Sequence, residues 1–179
     1  MTTSINIVFI KEQYFKDHLH FVKMLDVGNS DKQSKRKYIF LNVRYDNNNL
    51  FIPLRTSLGN PNKKFGKIGF SVPSKSRPNA GLDYRYILII NDFKYIEFPK
   101  SQKISNSQYK TISKNYSIIE SEVKHYIKGY IRAAKKRREK KEPLYRESSL
   151  QNFNVELGIN KNQDEKNKEV AISKDNWIK

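Results

Sequence analysis

Residues 37–57 read KYIFLNVRYDNNNLFIPLRTS, and this stretch decides the fold. Two runs rich in β-branched and aromatic residues, 37–45 and 50–54, flank the tetrad Asp46-Asn47-Asn48-Asn49. Asn and Asp tolerate turn and left-handed backbone, so the pattern predicts an antiparallel hairpin. Upstream, INIVFI at 5–10 is an apolar, β-rich run that reads as a further strand. Residues 11–25 then set Tyr14, Phe15, His18, Phe21, Val22 and Leu25 at helical spacing, with Gly28-Asn29-Ser30 as the stop. Downstream, 84–91 and 94–98 read as a second strand pair joined at Asn91-Asp92. Tyr109, Ile112, Tyr116, Ile119, Val123, Tyr126, Tyr130 and Ala134 step by three and four, which predicts one long helix starting near 105–107 and stopping before Pro143. The expected class is α+β: a mostly antiparallel, partly barrel-like sheet with flanking helices.

The remaining segments divide by composition. Residues 55–82 carry Gly59, Pro61, Gly66, Gly69, Pro73, Pro78 and Gly81. A loop of that length in a compact domain tends to be functional, with short strands allowed around 65–72. Residues 160–168 are polar and charged and read as a linker or mobile tail, with Trp177 as a docking point beyond it. The expected organisation is a basic domain over 1–145 and a partly flexible extension over 146–179.

Charge narrows the function classes. The chain has 179 residues, 35 basic and 18 acidic, for a net charge of +17. No acidic residue occurs between Asn47 and Leu82, where Arg55, Lys63, Lys64, Lys67, Lys75 and Arg77 lie. KKRREKK at 135–141 adds Lys135, Lys136, Arg137 and Arg138 among its cations. Cations concentrated in this way suit a polyanion bound by release of counterions. An acidic lipid surface is disfavoured because no helix pairs an Arg/Lys stripe with a Trp/Leu face. No cysteine is present, no apolar run approaches the ~20 residues of a membrane span, and no basic segment precedes the first apolar stretch, so a cytoplasmic protein is expected.

The chemistry is constrained as much by what the chain lacks. Zinc-hydrolase and nucleotide-loop motifs are missing, and the central basic region has no converging acids for two-metal catalysis. His18, His20 and His125 read as core or surface residues. RNA cleavage without a metal remains open, since the 2′-hydroxyl is the substrate's own nucleophile and the protein has only to orient it and stabilise the phosphorane. Pro53-Leu54-Arg55-Thr56-Ser57 sets a cation and two hydroxyls where a strand enters the Gly/Pro loop, a phosphate-binding candidate. A turn held by side-chain hydrogen bonds is the alternative.

Phe9-Ile10-x-x-x-Tyr14, the basic opening of Lys37-Tyr38-Ile39-Phe40, and Pro53-Leu54-Arg55-Thr56-Ser57 together resemble the ToxN/AbiQ toxins of type III toxin–antitoxin systems, with the Arg-Thr form most similar to the TenpN branch. The resemblance continues through Gly81-Leu82-Asp83-Tyr84 and Ile89-Ile90-Asn91-Asp92 and covers about residues 5–135. It implies a fold similar to the MazF/Kid toxins and a metal-independent, cofactor-free endoribonuclease leaving a 2′,3′-cyclic phosphate. It also implies an inhibitor that is a folded, repeat-derived and pseudoknotted RNA antitoxin, and a role in abortive phage infection or plasmid maintenance. By position, Tyr14 matches the family's active-site tyrosine, Lys37 (or Arg36 in a slipped register) its lysine, and Thr56 and Ser57 its Thr-Ser pair. Counting from Pro53 instead selects Arg55 and Thr56. Gly59 stands where the family has a lysine, a place that Lys63, Lys64 or Arg55 would have to fill.

On this basis Lys37 and Arg55 are expected to neutralise the scissile phosphate, and Ser57 or Thr56 to bind a phosphoryl oxygen or steer the 2′-hydroxyl. Tyr14 is expected to orient the nucleotide or to transfer a proton, with a packed core residue as its alternative. Lys135–Arg138 would grip RNA away from the chemistry. The rival reading is a non-catalytic RNA-binding module; a DNA-binding regulator finds no helix-turn-helix pattern in support.

Overall fold

A computed structural model describes residues 5–35, 37–63 and 66–159, with backbone alone at 30, 37–43 and 63. Arg36, Lys64 and the segment 160–179 with Trp177 lie outside the described residues.

The hairpin forms where its sequence places it. β1 (Asn6–Ile10) is followed by α1 (Glu12–Asp17) and α2 (Ser30–Ser34), then by β2 (Lys37–Tyr45) and β3 (Asn48–Arg55). Asp46 and Asn47 close the β2–β3 hairpin with φ of 49° and 65°, the mirror-image turn whose twist matches that of the strands. β4 (Asn62–Lys63) and β5 (Gly66–Lys67) form a separate ribbon, and β6 (Gly69–Ser71) and β7 (Gly81–Asp83) pair across the turn-rich segment. β8 (Leu88–Ile89) and β9 (Ile96–Glu97) complete an antiparallel, curled half-barrel in the order β6-β7-β3-β2-β1-β9, with β8 also on β3. The architecture is α+β.

Residues 84–98 do not form the expected strand pair. Asp83 and Asp92 accept from the backbone N–H groups of Arg85 and Lys94 and fold 84–86 and 93–95 into 3-10 turns. The two short strands that follow pair elsewhere, β8 with Leu50 and Phe51 and β9 with Phe9 and Ile10. β3 therefore changes neighbour along its length, from β8 at Leu50–Phe51 to β7 at Leu54–Arg55. Pro53, which has no N–H to give, sits at the changeover.

Helices depart from the expected lengths for local and tertiary reasons. The long helix is two: α3 (Asn106–Lys114), started by a Ser105/Gln108 capping box, and α4 (Tyr116–Lys135). Asn115 divides them, its side chain donating to the Thr111 carbonyl at 2.8 Å and competing with the helical ladder. α4 ends at Lys135, so 136–141 are turn rather than helix. α1 stops at Asp17, where the His18 ring reaches the Tyr14 carbonyl at 2.6 Å. Beyond it, Asn152 clamps both backbone groups of Val22 at 2.8 and 2.7 Å, and Gln33 holds the Leu25 carbonyl at 2.7 Å. These long-range bonds override the helical spacing of 18–25.

One apolar cluster joins β1, β3, β7 and β8 to the inner face of α4, where Ile119, Val123, Ile127 and Tyr130 are fully buried. Residues 146–159 belong to the same cluster: Leu150 and Phe153 are buried, the Ser149 hydroxyl donates to the Ile87 carbonyl at 2.7 Å, and Asn48 donates to the Glu156 carbonyl at 2.7 Å. Among the described residues no helix is long and apolar enough to cross a membrane.

Phe153 is 1% exposed and its ring meets Phe21 edge-on at 5.4 Å. Phe153→Ala is expected to cost about 3–5 kcal/mol of stability, from lost transfer energy and the cavity left behind. Urea unfolding checks this; a shift of under about 1 kcal/mol would show that 146–159 is not part of the cooperative core.

Candidate nucleic-acid interface

Strand register brings the predicted positions to one end of the sheet. Phe9 pairs with Lys37 and Tyr38 with Pro53, so the end of β1, the start of β2 and the end of β3 lie side by side. α1 leaves the sheet there and α2 returns to it. Between α2 and the exit of β3 opens a cleft of about 290 Å³, lined by Lys32, Lys35, Arg55, Thr56, Arg77 and Gln108 together with Leu54 and Ala80. Four cations, a hydroxyl and a carboxamide converge, and among the described residues no carboxylate lines the cleft. Such a wall suits an oxyanion.

Lys32 pairs with Asp26 at 2.9 Å and Lys35 with Asp31 at 2.7 Å, both through exposed lysine side chains, whereas Arg55 is held by a buried acid. Arg55 Nη1 donates to Asp83 Oδ2 at 3.0 Å, and its guanidinium lies 5.6 Å from the centre of the Tyr86 ring. Asp83 is wholly buried and also accepts from Arg85 Nε at 2.9 Å and Nη2 at 2.8 Å. Its hydrogen bonds raise the Arg85 pKa against the lowering effect of burial. The Arg55 side chain remains 30% exposed, so one edge is fixed by Asp83 while the rest reaches the cleft. Thr56 and Ser57 follow at the surface, both exposed, where Leu58 N donates to the Asn79 carbonyl at 2.7 Å and secures the turn.

The other expected residues distribute unevenly. Lys37 opens β2 at this end of the sheet, and its side chain lies outside the described residues, as does that of Lys63. Tyr14 is at the same end but only 3% exposed, its ring packed on His18 at 4.3 Å and edge-on to Tyr95 at 5.2 Å. Arg77 lines the cleft, and Lys75 is exposed in the turn beside it. Lys67 is elsewhere: it pairs with Glu122 of α4, whose other oxygen accepts from the buried Tyr84 hydroxyl at 2.7 Å. Burial, and then Glu122, hold the Tyr84 pKa far above its ordinary value. Lys135, Lys136, Arg137 and Arg138 are exposed at and beyond the end of α4, with Arg138 paired to Glu142 at 3.0 Å.

Sequence reasoning missed Lys32, Lys35, Gln108 and the Asp83 clamp. The run SDKQSKRK at 30–37, dense in cations just before a strand, was the available signal for the two lysines. Gln108 and Asp83 carry no such mark. Among the described residues no group of three or more His, Cys, Asp or Glu is arranged to hold a metal ion.

Removing the Asp83 carboxylate leaves Arg55 and Arg85 facing each other, with Arg85 largely buried. Asp83→Ala is expected to destabilise the fold by about 3–5 kcal/mol, and thermal or urea unfolding would show it. Wild-type stability in this variant would mean that the clamp does not order the cleft.

No protein-family model matches the chain, and no characterised protein matches it by sequence. Its fold is similar to that of a solved structure from work on bacterial type III toxin–antitoxin systems, which describes selective toxin inhibition by a non-coding RNA pseudoknot. That likeness has a TM-score of 0.50 and 13% sequence identity, and it covers 69% of this chain and 77% of the other.

Proposed function

We propose that this chain is a metal-independent endoribonuclease toxin of a type III toxin–antitoxin system, of the TenpN branch, kept inactive by a repeat-derived, pseudoknotted RNA. The carrying observation is the cleft at the sheet end, which Arg55, Arg77, Lys32 and Lys35 line together with Thr56. Its occurrence on a fold similar to that of a toxin inhibited by an RNA pseudoknot supports the reading.

The steps follow from the groups present. The scissile phosphate binds among the cations, with Arg55 donating from its free edge and Lys37 approaching from the start of β2. Thr56 or Ser57 donates to a phosphoryl oxygen as charge builds on the phosphorane, or steers the ribose 2′-hydroxyl into line. The 2′-oxygen attacks phosphorus, the 5′-oxygen leaves, and a 2′,3′-cyclic phosphate remains. In this reading Tyr14, which is buried and packed edge-on to Tyr95, plays a supporting part and holds α1 behind the site. The exposed cations Lys75 and Lys135–Arg138 attract RNA at longer range. In the cell such a toxin would act on cytoplasmic RNA, in abortive phage infection or plasmid maintenance.

Expressed without its antitoxin, the chain is expected to cut cellular RNA into fragments with 2′,3′-cyclic phosphate ends, unaffected by EDTA. Arg55→Ala, and at least one of Thr56→Ala and Ser57→Ala, should slow cutting by about 10²–10³-fold, the usual loss when one transition-state donor is removed. Intact RNA, tightly bound, would identify a non-catalytic RNA-binding module instead. RNA affinity should fall with salt at a log–log slope of several units, and Arg77→Ala should reduce that slope by about one; a flat response would remove the cleft from RNA binding.

A further inference from the structure

A second cleft adjoins the first. It has a volume of about 510 Å³ and is lined by Phe9, Ile10, Lys11, Glu12, Ser34, Lys35 and Glu97. Lys35 lines both clefts and is the wall between them. Their chemistries differ sharply. The first has four cations and no carboxylate among its described lining, whereas the second has an aromatic ring, an aliphatic side chain and two carboxylates that balance its two lysines, Lys11 and Lys35. Glu12 is already engaged by Lys16 at 2.9 Å. Glu97 is exposed, and among the described residues it enters no ion pair.

Strand pairing places Glu97 beside the proposed chemistry. Phe9 pairs with Lys37 on one side and with Glu97 on the other, so Lys37, Phe9 and Glu97 occupy one row across β2, β1 and β9. Strands stand about 4.8 Å apart, so the row spans roughly 10 Å from the start of β2 to Glu97. A carboxylate in that row repels phosphate but accepts from a base N–H, and an aromatic face beside it offers a surface for stacking.

The geometry points to this second cleft as the base-reading subsite for a nucleotide flanking the scissile phosphate, with Glu97 selecting a base that carries an exocyclic amino group. Adenine, cytosine and guanine present such donors. Uracil has no exocyclic amino group: its single N3–H lies between two carbonyl oxygens that repel the carboxylate, so Glu97 disfavours it by leaving its own charge poorly paired. The inference deepens the ribonuclease reading and rests on it for the identity of the ligand, but base reading is measurable without cleavage.

The test uses 2′-O-methyl hexanucleotides, which the proposed reaction cannot cut, in two matched pairs: cytosine against uracil, and adenine against purine riboside, which lacks the amino group. The wild-type protein is expected to favour the amino-bearing member of at least one pair by about tenfold, the scale of a well-made base contact. Glu97→Gln and Glu97→Ala should bring that ratio to within about twofold, the amino-bearing member losing its contact and the poorer member no longer meeting an unpaired charge. β9 is an edge strand with Glu97 exposed, and a matched thermal unfolding midpoint confirms that both variants fold. Equal affinity within both pairs, a ratio that survives both variants, or no binding of any hexanucleotide would overturn the subsite. Cleavage of cellular RNA is scored in parallel. Selective binding without cutting would sink the nuclease and keep the base reader; cutting without discrimination would do the reverse.

Discussion

The sheet end depends on a carboxylate that water cannot reach. Asp83 is wholly buried, and taking such a charge out of water costs several kcal/mol. The cost is offset because every group around it is a donor: the Arg85 backbone N–H at 3.2 Å, Arg85 Nε and Nη2, and Arg55 Nη1. The two guanidinium groups also flank the Tyr86 ring, at 5.6 and 5.5 Å from its centre. β7 is only three residues long, and its pairing with Leu54 and Arg55 would be a weak tie by itself. The clamp turns that short ladder into a fixed corner where β3 leaves the sheet. Arg55 is consequently ordered before any ligand arrives, and less side-chain entropy is lost when an anion meets its free edge.

What could be read from the sequence was what neighbouring residues decide. The β2–β3 hairpin followed from Asp46-Asn47 between two β-rich runs, and β1 from a compact apolar run. The α3–α4 stripe was visible as a period, yet the period survives a one-residue interruption: Ile112, Tyr116 and Ile119 stay in phase across Asn115, so only the chemistry of Asn marks the break. Pairings at a distance were not legible. Nothing in Leu88-Ile89 or Ile96-Glu97 announces that one seeks Phe51 and the other Ile10. The clamp of Asn152 on Val22 likewise ended a helical pattern from 130 residues away.

The same division holds at the site. Arg55 and Thr56 stood out because a cation and a hydroxyl at a strand exit are suspicious by residue type alone, and both line the cleft. Tyr14 shared the helical spacing of the core residues around it, and the structure packs it among rings. Lys67 belonged to the acid-free stretch by sequence and found Glu122 of α4 in space. A charge run shows how many cations are available; only the fold decides which of them face a common opening, as Arg55 and Arg77 do, and which turn to α4, as Lys67 does.

Net charge and local placement then do different jobs. A charge of +17 draws any polyanion toward the chain, but at physiological salt such fields fade over about 8 Å. Lys37 and Glu97, on either side of β1, are separated by roughly that distance given the usual strand spacing. A phosphate held near Lys37 therefore meets little repulsion from Glu97, while a base lying over Phe9 is close enough to donate to it. Carboxylates that line the second cleft and are absent from the described lining of the first allow attraction and discrimination to coexist within three strands. Had Glu97 stood in the row of Arg55, it would have neutralised the phosphate site, as Glu122 does Lys67.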